Sequence, residues 1–175
     1  MKKYFYRFFI LVGIALPGLL FAQEDAKAKR PENIGVSDFD SFKNSSFDIL
    51  DESAKLKTDA TRIDSEVKNY AATISTVTLD KLKTDYKALR GIGKSSKALT
   101  AKISDLDNQG KELLASAKNV SPRTKSPAAT SNTNKSVKGL DTSRKNLDAV
   151  ATLVQDNTKL LAEELKKRGE AVEED

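Results

Sequence analysis

The sequence predicts an all-α protein, an elongated antiparallel three-helix coiled-coil-like bundle that follows an N-terminal signal peptide. Three observations carry this. From Phe39 to Val77, apolar and small residues recur at alternating steps of three and four, held for about five and a half heptads. That rhythm loses its phase around Ser75-Thr76-Val77-Thr78 and restarts, and after a Pro- and Ser-rich interval a third apolar stripe runs to Leu165. Helices of such length are stable in water only where something packs along the seam, so the three stripes are expected to cover one another.

The N-terminus is read first, because it changes the composition of the rest. Lys2, Lys3 and Arg7 surround an aromatic stretch, and an apolar run from Phe8 to Ala22 follows, broken by Gly13 and Pro17-Gly18. A basic region, a short apolar region and a small residue at its end describe a secretory signal over residues 1–22, cleaved after Ala22; the alternative is a retained anchor. Cleavage removes three basic and no acidic residues, leaving 27 Lys and Arg against 25 Asp and Glu. The mature chain is then close to neutral, and a strongly basic character is no argument for nucleic-acid binding. The expected location is the periplasm or the cell surface of a bacterium, with no transmembrane helix in the mature chain. Cysteine is absent, so the fold is expected to do without disulfides that export would permit.

Residues 23–36 are short, charged and interrupted by Pro31 and Gly35, and are expected to form a flexible lead. Ser37 or Asp38 can cap the first helix, about residues 38–75, with Asp38 and Asp40 favourable at its positive end. Its seam reads Phe39, Phe42, Ser46, Ile49, Ser53, Leu56, Ala60, Ile63, Val67, Tyr70, Ile74 and Val77, thin in the middle where close helix approach is allowed. Thr78 is a plausible cap for the second helix, about 79–118, and so short a turn makes the two helices antiparallel neighbours. The second seam runs from Leu82 to Val120, with two successive steps of three beside Gly91 and Gly93, where a kink is expected. Residues 119–135 hold Pro122, Pro127 and many Ser, Thr and Asn, and read as a linker. The third helix, about 136–168, has a wider stripe, as a helix touching two neighbours should, and Gly169 can end it before an acidic tail at 170–175.

Motifs for chemistry are sparse. Ala88 to Ser95 satisfies a relaxed phosphate-binding loop pattern, but helix-like residues precede it where a buried strand is required, and no nucleotide is expected. Asp105 to Gly110 resembles the start of a calcium loop, yet Ser116 stands where the loop needs a bidentate Glu. With no histidine or cysteine in the chain, Ser-His and Cys-His nucleophile pairs and imidazole or thiolate metal sites are excluded. The chain is accordingly expected to be non-enzymatic, without cofactor or metal, acting through a protein partner or self-association. Phe47, Leu50, Val150, Leu153 and Leu160 are surplus apolar positions that a partner helix could contact, with Phe47 covering a bundle end as the plainer reading. Lys118, Arg123, Lys125, Lys135 and Lys138 form a basic linker with weak affinity for an anionic envelope surface as its functional reading and solubility as its plain one. Nucleic acid is not expected, since no aromatic residue follows Tyr86 for base stacking. A structural or protein-binding role in the envelope leads. The alternatives are a holdase-like chaperone or carrier whose helices part at Gly91 and Gly93, and an adhesin using the basic linker.

Overall fold

The computed structural model describes residues 29–172; the signal peptide, residues 23–28 of the lead and the last three residues of the acidic tail lie outside that span. Within it are three long helices, α1 (Ser37–Tyr70), α2 (Leu79–Ser116) and α3 (Ser126–Lys167). They pack into an up-down-up three-helix bundle, and no strand occurs among the described residues. Asn146 meets Ser53 and Asn157 meets Asp64, both pairs 93 residues apart, so α1 and α3 run parallel in constant register. The antiparallel course of α2 is fixed by Gly93 against Val154 and Gly110 against Phe42.

The first seam is buried as its spacing requires: Phe42, Ser46, Ser53 and Ala60 have no exposed surface, and Ile63 and Val67 almost none. The core divides into two apolar clusters. One gathers Phe39, Phe42, Ile49, Ile103, Leu113 and Leu140 near the α2–α3 turn, and the other gathers Ile63, Val67, Leu82, Leu89, Val150 and Leu161 near the α1–α2 turn. Leu56 packs against both, and the Ser53–Asn146 contact lies at the same level.

α1 gives way at Ala71 to a 3₁₀ segment, Ala71–Thr76, with Thr73 off helical geometry, so the first α-helix is five residues shorter than its apolar rhythm predicts. Tyr70 and Ile74 still pack on the second cluster from this tightened turn. Thr78 caps α2 as its position implies, accepting a hydrogen bond from the Lys81 N–H. α3 ends as a complete Schellman motif: Gly169 sits at φ +79°, its N–H reaches the Lys166 carbonyl, and the Glu170 N–H reaches the Leu165 carbonyl.

The largest departure is the expected linker at 119–135. Its second half is helix, because α3 begins at Ser126 with Pro127 in its first turn, ten residues before the apolar stripe starts. Ala129, Asn132, Thr133 and Ser136 are buried there against the first cluster and the lead. Hydroxyls can be buried at these positions because each is satisfied within its own helix. Thr133 donates to the Ala129 carbonyl at 2.8 Å and Ser136 to Asn132 at 2.9 Å, and Ser143 repeats the pattern with Gly139. Ser46 and Ser53 do the same on α1.

The lead is also more ordered than its composition implies. Asp40 accepts the N–H groups of Ile34, Gly35 and Val36, at 2.8, 2.8 and 3.2 Å, and Gly35 takes φ +71° to make that turn. Buried Lys43 reaches the Pro31 carbonyl and the Asn33 side chain, while Asn132 donates to the Glu32 carbonyl. Residues 30–36 thus form a strap across α1 and α3. Arg30 lies over the Phe47 ring, 5.9 Å from its centroid, which explains how an off-seam phenylalanine is only 2% exposed.

α2 stays helical through Gly91 and Gly93, where the kink is expected, from Leu79 to Ser116. Gly93 permits close approach: a Cβ there would meet Val154 Cγ1 at 3.2 Å, whereas one at Gly91 would meet nothing within 4 Å. Gly110 is the tighter contact, with Phe42 Cζ at 2.9 Å and Val137 Cγ2 at 3.2 Å from the position of a Cβ.

Two outcomes follow for denaturant unfolding. Gly91→Ala should stabilise the bundle by about 0.5–1 kcal/mol, the ordinary helix cost of glycine at a site with room. Gly110→Ala should destabilise it by about 1–2 kcal/mol through overpacking against Phe42, and should become neutral or stabilising in a Phe42→Ala background. Additive effects of the Gly110 and Phe42 substitutions would show that their contact is not what excludes the side chain.

Candidate functional site

Most of the residues that sequence patterning nominates for partner contact are interior. Phe47 is under the strap, Leu50 packs toward Gly139 on α3, and Val150 has no exposed surface. Leu153 and Leu160 are half-buried against the second cluster. These positions exceed a strict seam because α3 faces both other helices and because the strap needs an apolar bed. The basic stretch is not one flexible chain either. Lys118 lies in a 3₁₀ turn, Arg123 and Lys125 in another, and Lys135 and Lys138 are on exposed helix surface. Lys125 Nζ donates to the Gly35 carbonyl at 3.2 Å, holding the strap.

The two motif-like stretches lie inside α2. Ala88 to Ser95 and Asp105 to Gly110 are helical throughout, so their backbone N–H groups belong to the helical ladder rather than to a phosphate or cation loop. Among the described residues there is no group of three or more His, Cys, Asp and Glu placed to hold a metal ion, and no helix long and apolar enough to cross a membrane.

One cluster of ionisable groups is dense enough to be weighed as a reactive centre. At the α1–α2 end, buried Asp85 accepts from the Tyr70 hydroxyl at 2.8 Å and from Lys81 Nζ at 2.7 Å. Lys81 also reaches Glu66 at 2.5 Å, and Glu66 receives Arg62 at 2.6 Å. Burial, and then the hydrogen bond to Asp85, push the Tyr70 hydroxyl well above the usual tyrosine value. Asp85, followed by Glu66, raises the Lys81 ammonium above its ordinary value, and Lys81, followed by Arg62, lowers Glu66. These shifts move each proton away from neutral pH, the opposite of what a general acid or base requires. The cluster is a clasp joining the end of α1 to the start of α2. On the same half, burial would raise Asp64, but hydrogen bonds from Asn157 and Lys68 outweigh it and hold the carboxyl below its usual range.

A concave feature lies between α2 and α3. A groove of about 570 Å³ is lined on α2 by Tyr86, Arg90, Gly93, Lys94, Ser96 and Lys97. On α3 its lining includes Ala151, Val154, Thr158, Lys159, Ala162 and Lys166, and Val172 closes one end. This size is within the range of ligand sites, roughly 300–1,000 Å³. Its floor is small and apolar, and none of its described lining residues is acidic. Arg90 lies over the Tyr86 ring at 5.8 Å from the centroid, and Lys94, Lys97 and Lys159 are exposed on the banks. Of the nominated residues only Gly93 falls in it. The signal that could have found the rest was the basic spacing Arg90, Lys94, Lys97 on one helix against Lys159, Lys166 on the other, legible once the two helices are known to be antiparallel neighbours.

Comparison of this chain with protein-family models, with curated proteins and with solved structures finds no match.

The clasp and Asp64 set the pH profile. Tyr70 and Lys81 bind their protons more tightly in the folded state, so their stabilisation is whole below the unfolded values near 10 and is lost as pH rises through the raised native ones. Asp64 and Glu66 act oppositely: their stabilisation is present above the unfolded values near 4 and is lost as pH falls through the lowered native ones. Unfolding measured across pH should therefore give a plateau with a limb on each side. Asp85→Asn should lower stability at pH 7 by about 1.5–3 kcal/mol and flatten the alkaline limb. An unchanged alkaline limb in that variant would assign the effect to other groups.

Proposed function

We propose that the chain is an exported, non-enzymatic binding protein of the bacterial cell envelope, which presents the α2–α3 groove to a protein partner. The groove carries this proposal: it is concave, floored by apolar and small side chains, and has lysines on both helices that bound it. Export is supported by the sequence of residues 1–22, with its basic start, apolar run and terminal Ala22. A non-catalytic role is supported by the lack of histidine and cysteine and by the clasp, whose protonation is held away from neutral pH.

The two alternatives have less behind them. A holdase that opens at Gly91 and Gly93 would have to part α2 from α3 where Gly93 packs against Val154. An adhesin acting through the basic linker would need those cations gathered on one mobile chain, whereas Lys125 is tied to the strap and Lys135 and Lys138 belong to α3.

Site-specific photocrosslinking in the producing cells tests the proposal. A crosslinker at Gln155, which lines the groove, should give a discrete protein adduct, and one at exposed Lys55 on α1 should not. The adduct should form on a mature chain beginning at Gln23 and recovered outside the cytoplasm. Equal adducts from both positions, or none from Gln155, would overturn the binding role, and a chain retained in the cytoplasm would overturn the location.

A further inference from the structure

We infer that the groove receives an amphipathic helix of a partner protein, three to four turns long, whose apolar stripe is flanked on both sides by Asp and Glu. This deepens the proposed function and rests on the groove being the partner site. Length is the first argument. The lining runs from Tyr86 to Lys97 on α2 and from Ala151 to Lys166 on α3, which at 1.5 Å per residue is roughly 17–23 Å of open channel between two helices. A channel between neighbouring helices of a three-helix bundle is where a fourth helix packs in a four-helix one.

The floor fits a helix better than it fits a deeply inserted side chain. Ser96, Ala151 and Ala162 are small lining residues beside which a backbone can approach, and Val154 and Tyr86 supply apolar contact. Beneath the same floor Thr158 Oγ1 is buried with no hydrogen-bond partner.

Charge selects the class of occupant. Arg90, Lys94 and Lys97 stand along the α2 bank, and Lys159 and Lys166 along the C-terminal half of the α3 bank, whose other half carries Gln155 and no charge, so positive charge lies on both sides without an acidic residue in the lining. A single-headed anionic amphiphile would match a cluster at one end of an apolar slot, and a polyanion would need no apolar floor. A second copy of this chain is a poor complement, because the exposed flanks of α1 carry Lys55 and Lys57 among its acids. An apolar stripe between two acidic rows answers the floor and both banks together.

The test is a display selection on the full chain, using helical peptides with a fixed apolar stripe and flanks randomised among Asp, Glu, Lys and Ser. Acidic residues should be enriched on both flanks. The best peptide should bind about tenfold more weakly after Lys94→Glu, Lys97→Glu and Lys159→Glu together, and should weaken with rising salt. The distant exposed pair Lys55→Glu and Lys111→Glu should leave it unchanged, and circular dichroism should show both variants folded. Neutral or basic flanks, no enrichment, or insensitivity to the triple substitution would overturn the inference. So would phosphatidylglycerol vesicles binding in place of peptides, or a homodimer broken by the triple substitution. If the Gln155 adduct forms in cells while any of these outcomes holds, only the partner's chemistry fails; if that adduct is absent too, the binding role fails with it.

Discussion

The bundle depends on burying polar side chains along α1 and α3 without leaving them unsatisfied. A seam containing Ser46, Ser53, Thr133, Ser136 and Ser143 offers little apolar area, and an unpaired buried hydroxyl costs about 1–3 kcal/mol. Each of these hydroxyls donates to a carbonyl three or four residues back in its own helix, so its polarity is spent before the helices meet. What remains is a small, nearly apolar surface that allows close approach. Three asparagines then supply direction: Asn132 bonds the strap, Asn146 meets Ser53, and Asn157 meets Asp64. Asn157 also donates to the Leu153 carbonyl of its own helix, so what a change of register would break is its bond to Asp64 and the Asn146–Ser53 contact.

The rest of the architecture follows from closing the two ends of that seam. At one end Arg168 reaches back from the end of α3 to the Ile74 and Val77 carbonyls, both at 2.6 Å, while pairing with Glu164. Those carbonyls belong to the 3₁₀ turn between α1 and α2, so one guanidinium ties all three helices and satisfies groups a helix end leaves orphaned. At the other end the strap is fastened by backbone N–H groups to Asp40 and by Asn132 and Lys125 to its own carbonyls. With α1 and α3 held along their length and clamped at both ends, the α2–α3 face is left able to stay open as a groove.

What could be read from the residues follows the same physics. The first two seams are legible because their buried positions include Phe, Ile and Leu at heptad spacing, and Thr78 and Gly169 mark ends by chemistry any helix shares. The first ten residues of α3 were hidden because Ser, Thr and Asn resemble a linker until one knows that the Thr130 and Thr133 hydroxyls bond within the helix and that a strap covers Asn132. The strap was hidden for a related reason: its order comes from Asp40, Lys43 and Asn132, residues up to 100 positions away. The groove was only half visible, since lysines spaced for one helix face look like ordinary solvated surface until a second basic helix is placed beside them.

The groove and the seam are two answers to one geometric problem. Three helices cannot all bury an equal face when α1 and α3 use small residues to approach closely; α2 is then packed through larger side chains, and Gly93 and Gly110 appear where Val154 and Phe42 would otherwise hold it off. Near Gly110 the space is filled by Phe42 and Val137, but toward Gly93 Ala151, Ala162 and Ser96 leave the channel shallow and open. Lining that channel with larger apolar side chains would bury more area and stabilise the monomer. Its lining is instead small in the floor, with Lys94, Lys97 and Lys159 on the banks, so the chain's own side chains leave it open. The Asn contacts and the Arg168 clamp hold the bundle together although this channel is not filled by the chain's own side chains.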